Sequence, residues 1–189
     1  MIATKKPTNI DEKCQFALID ESFPPFKSEH IKIKVAKSKW ERDGYFKLRK
    51  QTFSKEQKIF QNQEKDSKDF QAIPIIALAS SWSIGEEIIG AVRIFKKNGT
   101  INTWYGGRLC VSKPYRRQQN IGKALINEAV SLAKDYGCEN FFAEVQKQNE
   151  DYFKSLHWLS LDDINIKDRP HVRMKAQLTH YPFMPRTSF

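Results

Sequence analysis

The stretch Val111-Ser-Lys-Pro-Tyr-Arg-Arg-Gln-Gln-Asn-Ile-Gly-Lys-Ala-Leu-Ile126 gathers the residue types that hold anionic oxygen. A strand-like run ends, a basic loop follows, and small residues open an amphipathic helix. The first amides of a helix lack an intrahelical acceptor and sit at the positive end of its macrodipole. The backbone of Gln119, Asn120, Ile121, Gly122, Lys123 and Ala124 is therefore a candidate phosphate cradle. Gly122 and Ala124 let a pyrophosphate approach the main chain, and Arg116, Arg117 and Lys123 supply positive charge. The segment is neither Gly-x-x-x-x-Gly-Lys-Ser/Thr nor Gly-x-Gly-x-x-Gly, so the usual nucleotide loops are not implied. A glycine in a first helical turn after two arginines also occurs without any ligand, and that reading stands beside the first.

A second group of candidates lies just upstream. Arg108 follows Gly106-Gly107, a pair that permits a bulge or the close approach of a ligand to the backbone. An arginine buried there suits a carboxylate held in two bonds, or equally a structural ion pair with Glu144. Trp104 and Tyr105 are candidate pocket walls as much as core. Cys110 reads as a small buried apolar residue, with no His near it in sequence to activate it. Three cysteines (Cys14, Cys110, Cys138) without a Cys-x-x-Cys spacing and four scattered histidines give no disulfide framework and no metal site.

The whole chain must supply a scaffold for these groups. Its 189 residues are 40% hydrophobic and carry 13 Phe, enough to build one globular domain over 31–189, with 1–30 as an arm packed on it. No apolar run is long enough to span a membrane and no secretory segment opens the sequence, so a cytoplasmic protein is expected. Lys and Arg number 32 against 22 Asp and Glu, a net charge of +10. That charge admits an anionic partner, either nucleic acid or a phosphorylated small molecule, and also a merely lysine-rich surface.

Alternation of Ile31, Ile33 and Val35 with lysines predicts a strand. Ser38-Lys39-Trp40-Glu41 has capping-box spacing and opens a helix to about Lys50. Ser54-Lys55-Glu56-Gln57 predicts a second, short helix ending near Phe60, and the polar run 61–69 reads as a mobile loop. Strands are predicted over 75–82 and 88–96, turning near Gly85, and Asn98-Gly99 predicts a two-residue hairpin into a strand over 101–111. From Ile121 to Tyr136 the apolar residues share one helical face, with Gly137 at C′. A strand at 141–146, a short helix at 149–156 and two strands near 158–166 and 171–178 complete a mixed α/β sheet.

Gln119-Asn-Ile-Gly122-Lys-Ala124 fits the Gln/Arg-x-x-Gly-x-Gly/Ala motif of the GNAT superfamily of acyl-CoA-dependent N-acetyltransferases, and Pro114-Tyr115-Arg116-Arg117 is similar to its lead-in. Ala143-Glu-Val-Gln-Lys-Gln-Asn149 resembles that superfamily's fifth strand and the asparagine after it. Leu156-His157-Trp158 stands where Leu-Gly-Phe is common. The order of elements from 31 to 178 agrees as well. The resemblance implies a mixed, mostly antiparallel sheet of six to seven strands, helices on both faces, and a splay between the fourth and fifth strands. More narrowly, Leu48-Arg49, Glu56-Gln57-Lys-Ile-Phe60, Trp104-Tyr-Gly-Gly-Arg-Leu-Cys-Val111, Val145-Gln-Lys-Gln-Asn149 and His180-Tyr-Pro182 resemble the nitrogen-starvation N-acetyltransferase family, encoded beside nitrilases in bacteria.

The resemblance implies acetyl-CoA as cofactor and direct transfer to a primary amine of a small molecule. The cradle from Gln119 to Ala124 would take the CoA pyrophosphate, with Arg116, Arg117 and Lys123 beside the phosphates. Leu109, Cys110 and Val111 would run along the pantetheine, with Asn149 and Phe153 near it. The Leu109 N–H would polarise the thioester carbonyl, and Glu144 would accept the amine proton. Arg108, Trp104 and Glu144 would meet the acceptor. The superfamily's usual tyrosine acid is Phe153 here, and the neighbouring Tyr152 is expected to point elsewhere on the helix. His157 is the substitute acid, or the thiolate leaves unaided. The same fold without turnover would be an acyl-CoA sensor, a reading that Phe153 favours. No nucleic-acid or membrane partner is expected, and a homodimer is left open.

Overall fold

The structure, a computed structural model, describes residues 30–60, 64–81, 85–117 and 120–181. The arm expected at 1–30 lies outside them, apart from His30. Seven strands form one sheet in the order β1-β2-β3-β4-β5-β7-β6. They are β1 (His30–Val35), β2 (Ile73–Ser81), β3 (Gly85–Lys96), β4 (Thr103–Val111), β5 (Asn140–Gln146), β6 (Trp158–Ile166) and β7 (Arg169–Ala176). All neighbours are antiparallel except β4 and β5. The helices are α1 (Lys39–Arg49), α2 (Ile121–Asp135) and α3 (Glu150–Lys154). None of them is long and apolar enough to cross a membrane.

Two apolar layers cover the sheet. On one face, Val92, Ile94, Trp104, Phe141, Ala143 and Val145 pack with Ile121, Leu125 and Ala129 of α2. On the other, Ile76, Ala91 and Cys110 pack with Tyr45 and Leu48 of α1 and with Phe53 and Phe60. Strand alternation assigns every β3, β4 and β5 side chain to one layer or the other.

Local signals decide most boundaries. Ser38 and Glu41 form the anticipated capping box at α1. Gly137, at φ +78°, takes the left-handed position after α2. The helix expected to start afresh at Ser54 does not form; α1 instead runs straight into a π-helical stretch, Lys50–Glu56. Asn98-Gly99 does not make a two-residue hairpin either. The ladder closes at Lys97 N–H to the Thr103 carbonyl (2.9 Å), leaving a longer loop in which the Thr100 hydroxyl bonds the Lys97 carbonyl.

The polar run expected to be a mobile loop is, in its described part, tied down by buried charge. Asp66 caps a 3-10 turn, Ser67–Phe70. Arg49, wholly buried, reaches Glu64 at 2.8 Å and Asp69 at 2.6 and 3.0 Å. Sequence periodicity is blind to such pairing because the partners lie 15 and 20 residues apart.

Candidate functional site

Between β4 and β5 the sheet opens. Parallel pairing runs from Thr103 with Asn140 to Gly106 with Ala143 and ends there. On the other side of β4 the register jumps: Ala91 faces Cys110 and Arg93 faces Gly107, so Arg108 and Leu109 together oppose Val92. This is a β-bulge, and Arg108 holds φ +57° within it. The bulge bends β4 away from β5 just where their ladder stops. The backbone of Gly107–Val111 is thereby released from its parallel neighbour, as an intercalating extended ligand requires.

A cavity of about 190 Å³ occupies the gap and reaches both layers. From the α2 layer it is lined by Leu109, Ile126, Ala143, Asn149, Phe153 and Trp158. From the α1 layer it is lined by Arg93, Tyr105, Arg108, Glu144, Gln146 and His171. One half is thus mostly apolar and the other carries the ionisable groups.

The anticipated phosphate cradle lies beside the apolar half. Asn120 precedes α2 in a left-handed conformation (φ +52°) and makes no side-chain cap. The first helical bond runs from Ala124 N–H to the Asn120 carbonyl at 3.0 Å. Among the described residues nothing accepts from the amides of Ile121, Gly122 and Lys123. Gln119 lies outside those residues. Tyr152 points away from the cavity, as expected, and toward the cradle: its hydroxyl lies 3.1 Å from where a Cβ on Gly122 would be. Burial raises this phenol's pKa.

Arg116 is less free than expected. It donates to the Val111 carbonyl at 2.8 Å and to Glu56 at 2.6 Å, fastening the end of β4 to the π-helical stretch. Arg117 and Lys123 remain exposed near the cradle. Phe153 is buried and meets Trp158 edge-on at 5.2 Å. It closes the cavity floor and has no proton to give. His157, at φ +63° where the resemblance has glycine, stacks on His180 at 3.9 Å and does not line the cavity.

In the ionisable half, Arg108 is not paired with Glu144. It donates to the Glu64 carbonyl at 3.2 and 3.3 Å and to Asp66 at 3.1 Å, and lies over the Phe60 ring. Burial lowers its pKa, aided by the charges of Arg93 and Arg49, while Asp66 opposes them. Trp104 is no pocket wall; it belongs to the α2 layer and stacks on Tyr136 at 5.7 Å. Tyr105 lines the cavity in its place. Cys110 is buried as expected, and burial pushes its thiol up to about 12. Glu144 is exposed at the cavity edge, with Arg173 of β7 opposite it in register.

Two lining residues escaped the sequence reading. His171 is buried, and its Nδ1 lies 2.9 Å from the Arg169 carbonyl. That oxygen can only accept, so Nδ1 carries the proton and Nε2 is left as the basic nitrogen. Arg93 is also buried and reaches Asp66 with both Nη atoms at 2.7 Å. Both stand on the α1 face, opposite Val92, Ile94 and Val172 of the α2 layer. Only the fold shows that this face borders an opening.

Comparison with known proteins bears on the arrangement. The model of the acetyltransferase (GNAT) family matches residues 38–155. No curated protein matches the sequence. Among solved structures, one from Lactobacillus plantarum assigned to the N-acetyltransferases is similar with a TM-score of 0.68 at 21% identity, covering 79% of this chain and 99% of that one. ElaA of Escherichia coli is similar with a TM-score of 0.67 at 18% identity, covering 78% and 100%. An aminoglycoside 6'-N-acetyltransferase complexed with coenzyme A is similar with a TM-score of 0.58 at 14% identity, covering 84% and 99%.

Proposed function

The chain belongs to the acetyltransferase (GNAT) family, and from that premise we propose that it transfers an acetyl group from acetyl-CoA directly to the primary amine of a small molecule. The observation that carries the reading is the gap between β4 and β5, open to both layers and next to a helix whose first amides meet no acceptor among the described residues. The residues fit the donor: Ile121, Gly122 and Lys123 offer amides to a diphosphate, and the strand edge from Leu109 to Val111 offers backbone groups to pantetheine. Asn149 and Phe153 line that same half. When bound, acetyl-CoA supplies an activated thioester.

Each residue of the chain then has a task. The Leu109 N–H, at the bulge, polarises the acyl oxygen; one well-placed donor of this kind is worth about 3 kcal/mol in acyl transfer. Glu144, without a described cation in contact, accepts the proton of the incoming ammonium directly or through water. Phe153 and Trp158 exclude water from the apolar half. Buried Cys110, its thiol held protonated, is not a nucleophile, which supports direct transfer over an acyl-enzyme. Phe153 has no proton to give and Tyr152 stands at the cradle, outside the cavity lining, so the CoA thiolate leaves unaided. The motifs over 104–111 and 145–149 support the narrower nitrogen-starvation N-acetyltransferase assignment.

The test is isothermal titration with CoA, followed by thiol release from acetyl-CoA over a panel of amines. The wild-type chain is expected to bind CoA, and Gly122→Glu, which crowds Tyr152 and adds a negative charge to the cradle, to abolish binding. Equal affinity of the two proteins removes the cradle. CoA binding without acetylation of any amine removes the transfer reaction.

A further inference from the structure

Arg93 is 97% buried, its Nε has no hydrogen-bond partner among the described residues, and it lines the cavity. An orphaned guanidinium donor in such a position costs free energy unless a ligand or water meets it. The planar guanidinium explains which part is vacant. Asp66 takes the end-on fork, Oδ1 from Nη1 and Oδ2 from Nη2, both at 2.7 Å, and Asp69 shares Nη1 at 2.8 Å. The side fork, Nε–H with the second Nη2 hydrogen, is left over, and it has the geometry that a carboxylate fills with two parallel bonds.

The neighbouring strand puts no side chain against that fork. Gly107 is paired with Arg93 in register, and a Cβ there would stand 3.7 Å from Nε. Gly107 does not take the left-handed φ of Gly85, Gly99 or Gly137, so no backbone strain demands glycine here. The cavity's own charges point the same way. Among the described residues Lys68, Arg93, Arg108 and one carboxylate, Glu144, line it, and the carboxylates paired with Arg93 and Arg108, Asp66 and Asp69, stand behind the lining.

We infer that the acceptor is an amino carboxylate, its carboxylate seated on the side fork of Arg93 over Gly107 with Arg108 adjacent, and its amine directed along β4 toward Leu109. This rests on the acetyl-transfer reading above. Gly107 and Leu109 are separated only by the bulged Arg108, a span of at most about 7 Å, which suits a short amino acid.

The experiment compares glycine, β-alanine and γ-aminobutyrate with their decarboxylated amines and their amides as acceptors for the full-length chain. At least one acid is expected to exceed its decarboxylated and amide partners by about tenfold or more in kcat/KM, mostly through KM. Gly107→Ala, whose methyl occupies the space over the fork, is expected to collapse that ratio, as is Arg93→Lys, which keeps a charge but loses the fork. CoA affinity retained by each variant shows that it has folded. Acids and amines used equally well, or a ratio unmoved by Gly107→Ala, overturn the inference while leaving acetyl transfer standing. Should no amine be acetylated, transfer itself has failed. Titration of the CoA-loaded chain with the N-acetyl acids and their amides then decides the subsite separately: preference for the acids, lost in Gly107→Ala, upholds it, and no preference ends it.

Discussion

Glu144 stands at the edge of the cavity on the face that carries the other ionisable groups, and His171 lies across the same half with Nε2 as its free nitrogen. A base acting on an ammonium gives a rate that rises with pH through the base's ionisation. Glu144→Gln is expected to lower kcat/KM by about a hundredfold or more and to erase the acidic limb of the pH–rate profile. If that limb survives in Glu144→Gln and disappears in His171→Asn, the histidine takes the role. Of these two, only Glu144 could be read from sequence, through the Ala143-Glu144-Val145 resemblance. His171 has no motif around it, and its importance comes from a strand that follows a reversal of direction. Tyr152, one residue on from the cavity-lining position of Phe153, turns to Gly122 instead, as angular spacing on a helix predicts.

At the scale of the element, α1 is governed by its first turn. Glu41 accepts from Lys34 at 2.5 Å and from the amides of Lys37 and Ser38 at 2.7 and 2.9 Å. Burial alone would raise its pKa, but these bonds prevail and hold it at about 2. A depressed folded-state value means that the stabilisation is complete above the unfolded value near 4.5 and is lost as pH falls toward 2. Glu41→Gln keeps the capping geometry without the charge. It is expected to cost about 1 kcal/mol at neutral pH, roughly 2–4 °C in Tm for a chain of this size. The gap from wild type should close as the pH of thermal melts is lowered from 5 to 2, and a gap independent of pH would deny Glu41 this part. The capping box was legible because it lies within four residues. The π-helical continuation at Lys50–Glu56 was not, since Phe53 and Phe60 are drawn onto the sheet by tertiary packing.

Across the whole molecule, the ionisable half of the cavity is backed by three arginines and three carboxylates. Arg49, Arg93 and Arg108 face Glu64, Asp66 and Asp69. Burial raises the Asp66 and Asp69 pKa values, but hydrogen bonds and charge from the arginines prevail and hold both below the ordinary range. Arg49→Met would leave Glu64 with an uncompensated buried charge and Asp69 with Arg93 alone, a loss of about 3–5 kcal/mol. Tm should fall by on the order of 10 °C, measured by differential scanning calorimetry. A change of a degree or two would mean that water already solvates the cluster.

The sequence by itself determined the order of the strands, the caps of the two longer helices, and the helix start beside Gly122. Each is written in spacings of a few residues, where propensity, periodicity and backbone freedom act locally. It also carried the family through short motifs that survive one at a time. Tertiary structure alone decided that Arg108 turns to Asp66 instead of Glu144, that Trp104 faces α2, and that Arg93 keeps a fork to spare. These outcomes depend on the bulge at Arg108–Leu109, which resets the side-chain alternation beyond it, and on ion pairs between residues up to 42 positions apart. No local pattern encodes a partner at that distance, because it is chosen by the competition of buried charges for one another inside the folded chain.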